Sequence, residues 1–200
     1  QMKNLIDKKI LYIICGGISA YKSLETIRIF KKSGAQIKTI LTNSAKEFIT
    51  PLSVASLSQG KVYTDLFNVE NETEMDHIAL SRWADVILIA PATANTISKL
   101  AQGTTDDLAS TVVLASNKEI YLAPAMNVRM WEHQSTKQNL QKLINYGYKL
   151  IGPEIGEMAC GEYGEGKMSE PDKISNEINN YFLNLKKNKK LKALVTAGPT

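Results

Sequence analysis

Cysteines, long apolar runs and targeting features are all scarce in this chain of 200 residues. The two cysteines, Cys15 and Cys160, are too few for the disulfide framework of a small secreted protein. No apolar run approaches the ~18 residues that a membrane-spanning helix needs. The N-terminus also lacks the apolar stretch and small-residue cleavage site of a secretory signal. We therefore expect a cytoplasmic protein.

Several common functional signatures are missing too. There is no Gly-x-Ser-x-Gly elbow and no Walker loop, and the two histidines and two cysteines do not have the spacing of metal ligands. The net charge is only +4, and much of this excess lies in the basic run at 186–192, which disfavours a nucleic-acid partner. We predict one domain over 1–185, a basic linker at 186–192, and the start of a second domain, a strand and a glycine loop, at 193–200.

Apolar runs typical of buried strands alternate with helical patterns. The runs lie at 9–14, 36–41, 84–90, 119–123 and 148–151. Helical patterns occupy the segment up to Gly34, the region 93–114 with a break near Gly103, and residues 134–146 and 171–185. This alternation predicts an α/β protein with a doubly wound parallel sheet flanked by helices, of the Rossmann-like or flavodoxin-like kind.

Ligands of such sheets bind outside the carboxyl ends of the strands, which brings together the loops at 16–19, 91–96 and 124–131. In the first loop, Gly17 lets the backbone approach a ligand and Ser19 can donate to a phosphate at a helix N-terminus. The pattern is not Gly-x-Gly-x-x-Gly, and no acidic residue follows the second strand, which counts against NAD. A simple glycine turn with a helix cap remains the alternative interpretation.

The other two loops carry uncharged polar groups. Thr93, Asn95 and Thr96 suit a phosphate or a polar ring edge, although capping of the next helix would need only one of them. Asn127, between large apolar residues, suits the orientation of a ligand carboxylate or amide.

The segment 156–171 has four glycines before Lys167, and we expect it to lack regular secondary structure and to form a flexible flap. Cys160 on this flap should be accessible, as a proton donor or nucleophile, whereas Cys15 ends a buried strand and should be a packing residue. His77 could act as an acid or base near a cleft, or could be structural.

Taken in order, four motifs resemble those of the flavin-dependent cysteine decarboxylases. They are Gly-Gly-Ile-Ser-Ala-Tyr-Lys at 16–22, Pro-Ala-Thr-Ala-Asn-Thr at 91–96, Pro-Ala-Met-Asn-Val-Arg-Met-Trp at 124–131 and the cysteine flap at 156–171. The departures are Thr93 in place of the usual Ser, and Met158 and Lys167 where Leu and Arg are usual. The resemblance is greatest to the members that act on 4′-phosphopantothenoylcysteine and form the N-terminal half of a bacterial bifunctional enzyme with a phosphopantothenate–cysteine ligase.

This resemblance implies an FMN cofactor and a set of site residues. The catalytic residues would be His77, Asn127 and Cys160, and the substrate would also contact Ala159, Lys167 and Met168. FMN would be held by Gly17, Ser19, Thr42, Ser44, Thr93, Asn95, Thr96 and Ala125. The resemblance further implies a homotrimer with sites between subunits, a dodecamer for the bifunctional members, and a ligase domain that starts at 193–200.

The implied reaction converts 4′-phosphopantothenoylcysteine to 4′-phosphopantetheine for coenzyme A biosynthesis. Oxidation of the cysteine side chain to a thioaldehyde provides an electron sink for loss of CO2, and the product is then re-reduced. One alternative is a peptidyl-cysteine decarboxylase of the lantibiotic kind. The other is a non-catalytic regulatory flavoprotein subunit, which could dispense with His77 or Cys160. No nucleic acid, membrane or metal partner is expected.

Overall fold

A computed structural model of the protein describes residues 2–64 and 76–198. Within these ranges, six parallel strands form one sheet in the order β3-β2-β1-β4-β5-β6. The strands are β1 (Lys9–Ile14), β2 (Gln36–Leu41), β3 (Val62–Tyr63), β4 (Val86–Ala92), β5 (Ile120–Pro124) and β6 (Lys149–Leu150). The predicted doubly wound α/β fold is confirmed, with β3 as an additional edge strand. Its two residues are too few to show a periodic pattern.

Helices cover both faces of the sheet. They are α1 (Lys22–Lys32), α2 (Pro51–Ser58), α3 (His77–Trp83), α4 (Ala94–Gln102), α5 (Leu108–Leu114), α6 (Val128–Glu132), α7 (Gln134–Asn145) and α8 (Pro171–Thr196). None of the helices in the described part of the chain is long and apolar enough to cross a membrane.

Residues of β1 alternate between two hydrophobic cores. Tyr12 belongs to a core that includes Phe30 of α1 and Ile178 of α8, whereas Ile13 belongs to a second core that includes Val112 of α5. Because both faces are covered, β1 and β4 are apolar almost throughout, and each fully buried aliphatic side chain contributes about 1.5–3 kcal/mol.

Strand β4 continues beyond its predicted end at Ala90 and includes Pro91 and Ala92. Proline removes a backbone donor, so it is tolerated in a sheet only where the pairing is irregular. The register between β4 and β5 shifts between Ile89 and Ala92, and the Pro91 carbonyl still accepts the Cys15 N–H at 3.3 Å. The prediction that Pro91 ends the strand was therefore wrong.

The glycine-rich segment was expected to lack regular structure, and this expectation was wrong. Strands β7 (Glu154–Glu157) and β8 (Tyr163–Lys167) form an antiparallel hairpin. The hairpin rests on the loop after β5, where the Met126 N–H donates to the Gly166 carbonyl at 3.0 Å. A Cβ at Gly166 would lie 2.5 Å from the Met126 carbonyl oxygen, so here glycine makes regular packing possible.

Helix α8 passes through the predicted linker at 186–192 and ends at Thr196 rather than at Leu185. Lysine, leucine and alanine favour helix, and neither proline nor glycine interrupts this run before Gly198. The predicted strand from residue 193 is therefore not present, and residues 186–198 are exposed. The division into a linker and a ligase domain stays a prediction.

Candidate active site

The three loops at the carboxyl ends of the strands and the β7–β8 hairpin surround one cavity of about 820 Å³. β1, β4 and β5 are neighbours and run in the same direction, so the loops that follow them meet at one edge. The prediction that these three loops lie together is confirmed. Predicted site residues that line the cavity are Gly17, Ser19, Thr93, Ala125, Asn127, Ala159, Cys160 and Lys167.

The loop after β1 packs directly against the loop after β2. A Cβ at Gly16 would lie 2.4 Å from the Ser44 Oγ, so only glycine allows this approach. The Ser44 hydroxyl is 3.4 Å from that of Thr42, which also accepts the Ala45 N–H. Thr42 and Ser44 are therefore held beside the first loop, although they do not belong to the cavity lining itself.

The two threonines after β4 have different roles. Thr93 lines the cavity and caps α4 by accepting the Thr96 N–H at 3.3 Å. Thr96 is buried, and its hydroxyl lies 3.2 Å from the Cys15 Sγ. Asn95 is exposed and lies outside the cavity lining. Thr93 of this motif therefore both caps α4 and presents a hydroxyl to the cavity.

Cys15 is 1% exposed, in agreement with its interpretation as a packing residue. Burial raises the pKa of its thiol, while the hydrogen bond with Thr96 opposes this rise. The thiol therefore stays protonated and inert at neutral pH.

Asn127 is the N-cap of α6, with its Oδ1 accepting the Met130 N–H at 2.8 Å. Its Nδ2 has no hydrogen-bond partner among the residues that the structure describes, and the residue lines the cavity. The oxygen thus fixes the orientation of the side chain, and the amide N–H groups are available to a ligand oxygen.

Cys160 and Ala159 lie in the turn of the hairpin, and the Cys160 side chain is exposed. The turn is tied by a hydrogen bond from the Met158 N–H to the Glu162 carbonyl at 2.8 Å. The accessible cysteine predicted from the sequence is confirmed, and it lies on an ordered hairpin.

Besides Thr42, Ser44, Asn95 and Thr96, two further predicted residues do not line this cavity. Met168 is 1% exposed and belongs to the core between the sheet and α8, so its predicted substrate contact is not supported by its position. An unbranched apolar side chain just before α8 is stabilised more by this core than by the cavity. His77 begins α3 and is half-buried, but it does not line the cavity within the chain.

The sequence interpretation also missed an ion pair in the cavity wall. Lys22 and Glu170 both line the cavity, and the Lys22 Nζ is 2.8 Å from the Glu170 Oε1. The signal in the sequence was Lys22 at the end of the Gly-Gly-Ile-Ser-Ala-Tyr-Lys motif, which places a positive charge close to the first loop. No group of three or more metal-ligating side chains occurs in 2–64 or 76–198.

A family model and similar known proteins agree on the family of this chain. A model of the flavoprotein family matches residues 1–183. The chain is 44% identical to the coenzyme A biosynthesis bifunctional protein CoaBC of Haemophilus influenzae over 196 residues, which are 98% of this chain and 49% of that protein. It is 39% identical to the protein of the same name from Bacillus subtilis over 199 residues, again 98% and 49%. The chain thus spans about half the length of these curated relatives.

Solved structures agree with this assignment. A mutant PPC decarboxylase complexed with pantothenoylaminoethenethiol superimposes with a TM-score of 0.80 at 32% identity, covering 88% of this chain and 98% of that one. The FMN-binding protein AtHal3 gives a TM-score of 0.79 at 31% identity, with 89% and 98% covered. The chain therefore belongs to the flavoprotein family.

Proposed function

We propose that this chain is an FMN-dependent decarboxylase that converts 4′-phosphopantothenoylcysteine to 4′-phosphopantetheine in the cytoplasm. The observation that carries the proposal is that Cys160 and Asn127, from separate elements, line the same cavity. The names of the CoaBC relatives and of the PPC decarboxylase structure support this substrate and its place in coenzyme A biosynthesis. We further propose that the chain is the decarboxylase part of a bifunctional protein with a phosphopantothenate–cysteine ligase.

The open backbone at Gly17 and the donor groups of the lining suit a flavin mononucleotide. A Cβ at Gly17 would meet nothing within 4 Å, so the backbone is open to a ligand at this point. Ser19 and Thr93 supply uncharged hydroxyls to the lining, and Lys22 adds a positive charge. We assign the binding of FMN to Ser19 and Thr93, to Gly17 and Ala125, and to the adjacent Thr42, Ser44, Asn95 and Thr96.

The proposed chemistry divides between the cofactor and the chain. When bound, FMN would supply a reversible hydride acceptor for the substrate side chain. The Nδ2 of Asn127 donates to the substrate carboxylate and so keeps it in place until the C–C bond breaks. Cys160 donates the proton to the carbon that receives no hydride. The hairpin that carries Cys160 covers the site and excludes water.

For His77 we propose a role in charge or proton handling from a neighbouring subunit. Its absence from the lining of its own chain's cavity supports a site that is shared within a homotrimer. Exposed apolar side chains that could form subunit contacts include Ile78, next to His77, and Phe48 and Leu52. Assembly of such trimers into a dodecamer would require the longer, bifunctional protein.

A combined measurement of colour and product tests the proposal. The purified protein should show the absorption bands of bound flavin and should release CO2 and 4′-phosphopantetheine from 4′-phosphopantothenoylcysteine. A yellow protein that leaves this substrate intact but decarboxylates a peptide with a C-terminal cysteine would establish the peptidyl-cysteine alternative. A protein that binds FMN but turns over neither substrate would instead indicate a regulatory subunit.

A further inference from the structure

Lys22 carries a charge that has little contact with water. It is the first residue of α1, directly after a 3-10 turn at Ile18–Tyr21, and its side chain is only 11% exposed. A cation so far removed from water needs a compensating negative charge. Its ion-pair partner is Glu170, the residue that precedes α8.

Glu170 is a weak and replaceable partner for this lysine. Its side chain is 60% exposed, so water competes for the carboxylate. An anion that enters the cavity can therefore take the place of Glu170, and Lys22 would have a negative partner both before and after ligand binding. The released carboxylate would still be solvated at the cavity mouth.

The proposed function indicates which anion this is. The ionised side chains of the lining are Lys22, Lys167, Glu157 and Glu170, which sum to zero. Under the proposed function, on which this inference rests, both the cofactor and the substrate bring a phosphate monoester into the cavity. A lysine is a common partner for a phosphate dianion, because its ammonium group forms charge-assisted hydrogen bonds with the oxygens.

We infer that Lys22 binds the phosphate group of a ligand in this cavity and that Glu170 holds the Lys22 side chain in place until the phosphate displaces it. The phosphate is that of the flavin or that of the substrate, and each source has its own experiment. Lys22 is thus a determinant of specificity for phosphorylated ligands, and Glu170 is a competing anion within the protein.

The chain offers a matched control. Lys173 and Glu154 form a second ion pair between the hairpin and α8, with 2.5 Å between Nζ and Oε1. Neither residue lines the cavity. Lys173→Gln therefore removes the lysine of another ion pair close to Glu170 in the chain, without changing the cavity lining.

Two binding series, each with wild type, Lys22→Gln, Glu170→Gln and Lys173→Gln, test the inference. The first compares binding of FMN and riboflavin to the flavin-depleted protein by flavin fluorescence. The second compares KM for 4′-phosphopantothenoylcysteine and for the same compound without phosphate. In the series whose phosphate contacts Lys22, Lys22→Gln should raise the Kd or KM of the phosphorylated ligand by about 10-fold or more. This is the effect expected for loss of a charge-assisted hydrogen bond. The ligand without phosphate should be unaffected.

Glu170→Gln should have the opposite effect, because it removes the competing anion. It should lower the Kd or KM of the phosphorylated ligand by about 2- to 5-fold. Lys22→Arg, which keeps the charge, should restore most of the affinity, and Lys173→Gln should match the wild type. Equal changes for ligands with and without phosphate, or no change with either pair of ligands, would overturn the inference. If the wild type fails to turn over the phosphorylated substrate, the proposed function is wrong, and the flavin series alone decides the role of Lys22.

Discussion

The two cysteines of this chain lie at the carboxyl end of β1 and at the tip of the β7–β8 hairpin, and their surroundings differ completely. Cys15 is enclosed by the core and by Thr96, and its pKa is raised by burial. Cys160 is exposed in the cavity lining. The contrast shows that placement decides whether a thiol is enclosed by the core or is accessible to a ligand, and a proton donor requires such access.

The largest expected effect is that of Cys160→Ser. Without the proton donor, formation of 4′-phosphopantetheine should slow by at least about 100-fold, and the decarboxylated but still oxidised intermediate should accumulate. Mass spectrometry of the reaction mixture measures both species. Cys15→Ala is the matched control and should keep its activity. Wild-type turnover in Cys160→Ser would remove this residue from the proposed mechanism.

The next effect concerns the attachment of the hairpin that carries Cys160. In Gly166→Ala, the new Cβ would lie 2.5 Å from the Met126 carbonyl oxygen, at a φ of 128° that disfavours any residue with a side chain. We expect the hairpin to shift away from the Asn127 loop and kcat to fall by about 10-fold or more.

Gly103→Ala is the control for Gly166, because it has a positive φ of 75° but open space around its Cβ. Unfolding followed by circular dichroism separates loss of activity from loss of the fold. Equal kcat values in Gly166→Ala and the wild type would contradict a positioning role for this packing.

A smaller effect is expected at Cys15, the buried cysteine. Cys15→Ala removes a buried sulfur atom and its contact with Thr96, and should lower the free energy of unfolding by about 1 kcal/mol. Denaturant titration gives this value. A loss of turnover with little change in stability would mean that Cys15 also contributes to the chemistry, and the contrast between the two thiols would no longer hold.

The smallest effect is electrostatic and lies at the base of the hairpin. Hydrogen bonds from Lys173 and then Ser169 lower the pKa of Glu154 below its ordinary value. A carboxyl whose pKa is lowered by folding stabilises the protein above its unfolded pKa, and this contribution is lost as the pH falls through the folded pKa.

Glu154→Gln should therefore cost at most about 1 kcal/mol at pH 7, because the pair is largely exposed. The difference from the wild type should shrink below pH 4.5, the ordinary value for this carboxyl, when both proteins are compared by denaturant titration across this range. A difference that stays constant with pH would show that the ion pair is not its source.

Strand and helix periodicity, read with the four motifs, predicted most of the fold and the convergence of three loops. The errors share a physical cause. Pro91 was expected to end β4, and the glycines of the flap were expected to prevent regular structure. In both places a tertiary contact stabilises the strand: the Cys15 N–H bonded to Pro91, and the Met126 N–H bonded to Gly166. Local propensities do not include contacts between residues that are distant in the chain.

The sequence by itself determined the chemistry available to this protein. The order of apolar runs specifies a parallel sheet, and strand direction places the loops with Gly17, Thr93 and Asn127 at its ligand-binding edge, whereas Cys160 reaches this edge on a separate hairpin. Only the tertiary structure decided which side chains face the cavity: it buried Met168 and Thr96, left His77 outside, and added Lys22 and Glu170. The reason is that the succession of strands and helices along the chain follows from local patterns, whereas the direction in which a side chain points depends on packing between elements far apart in sequence.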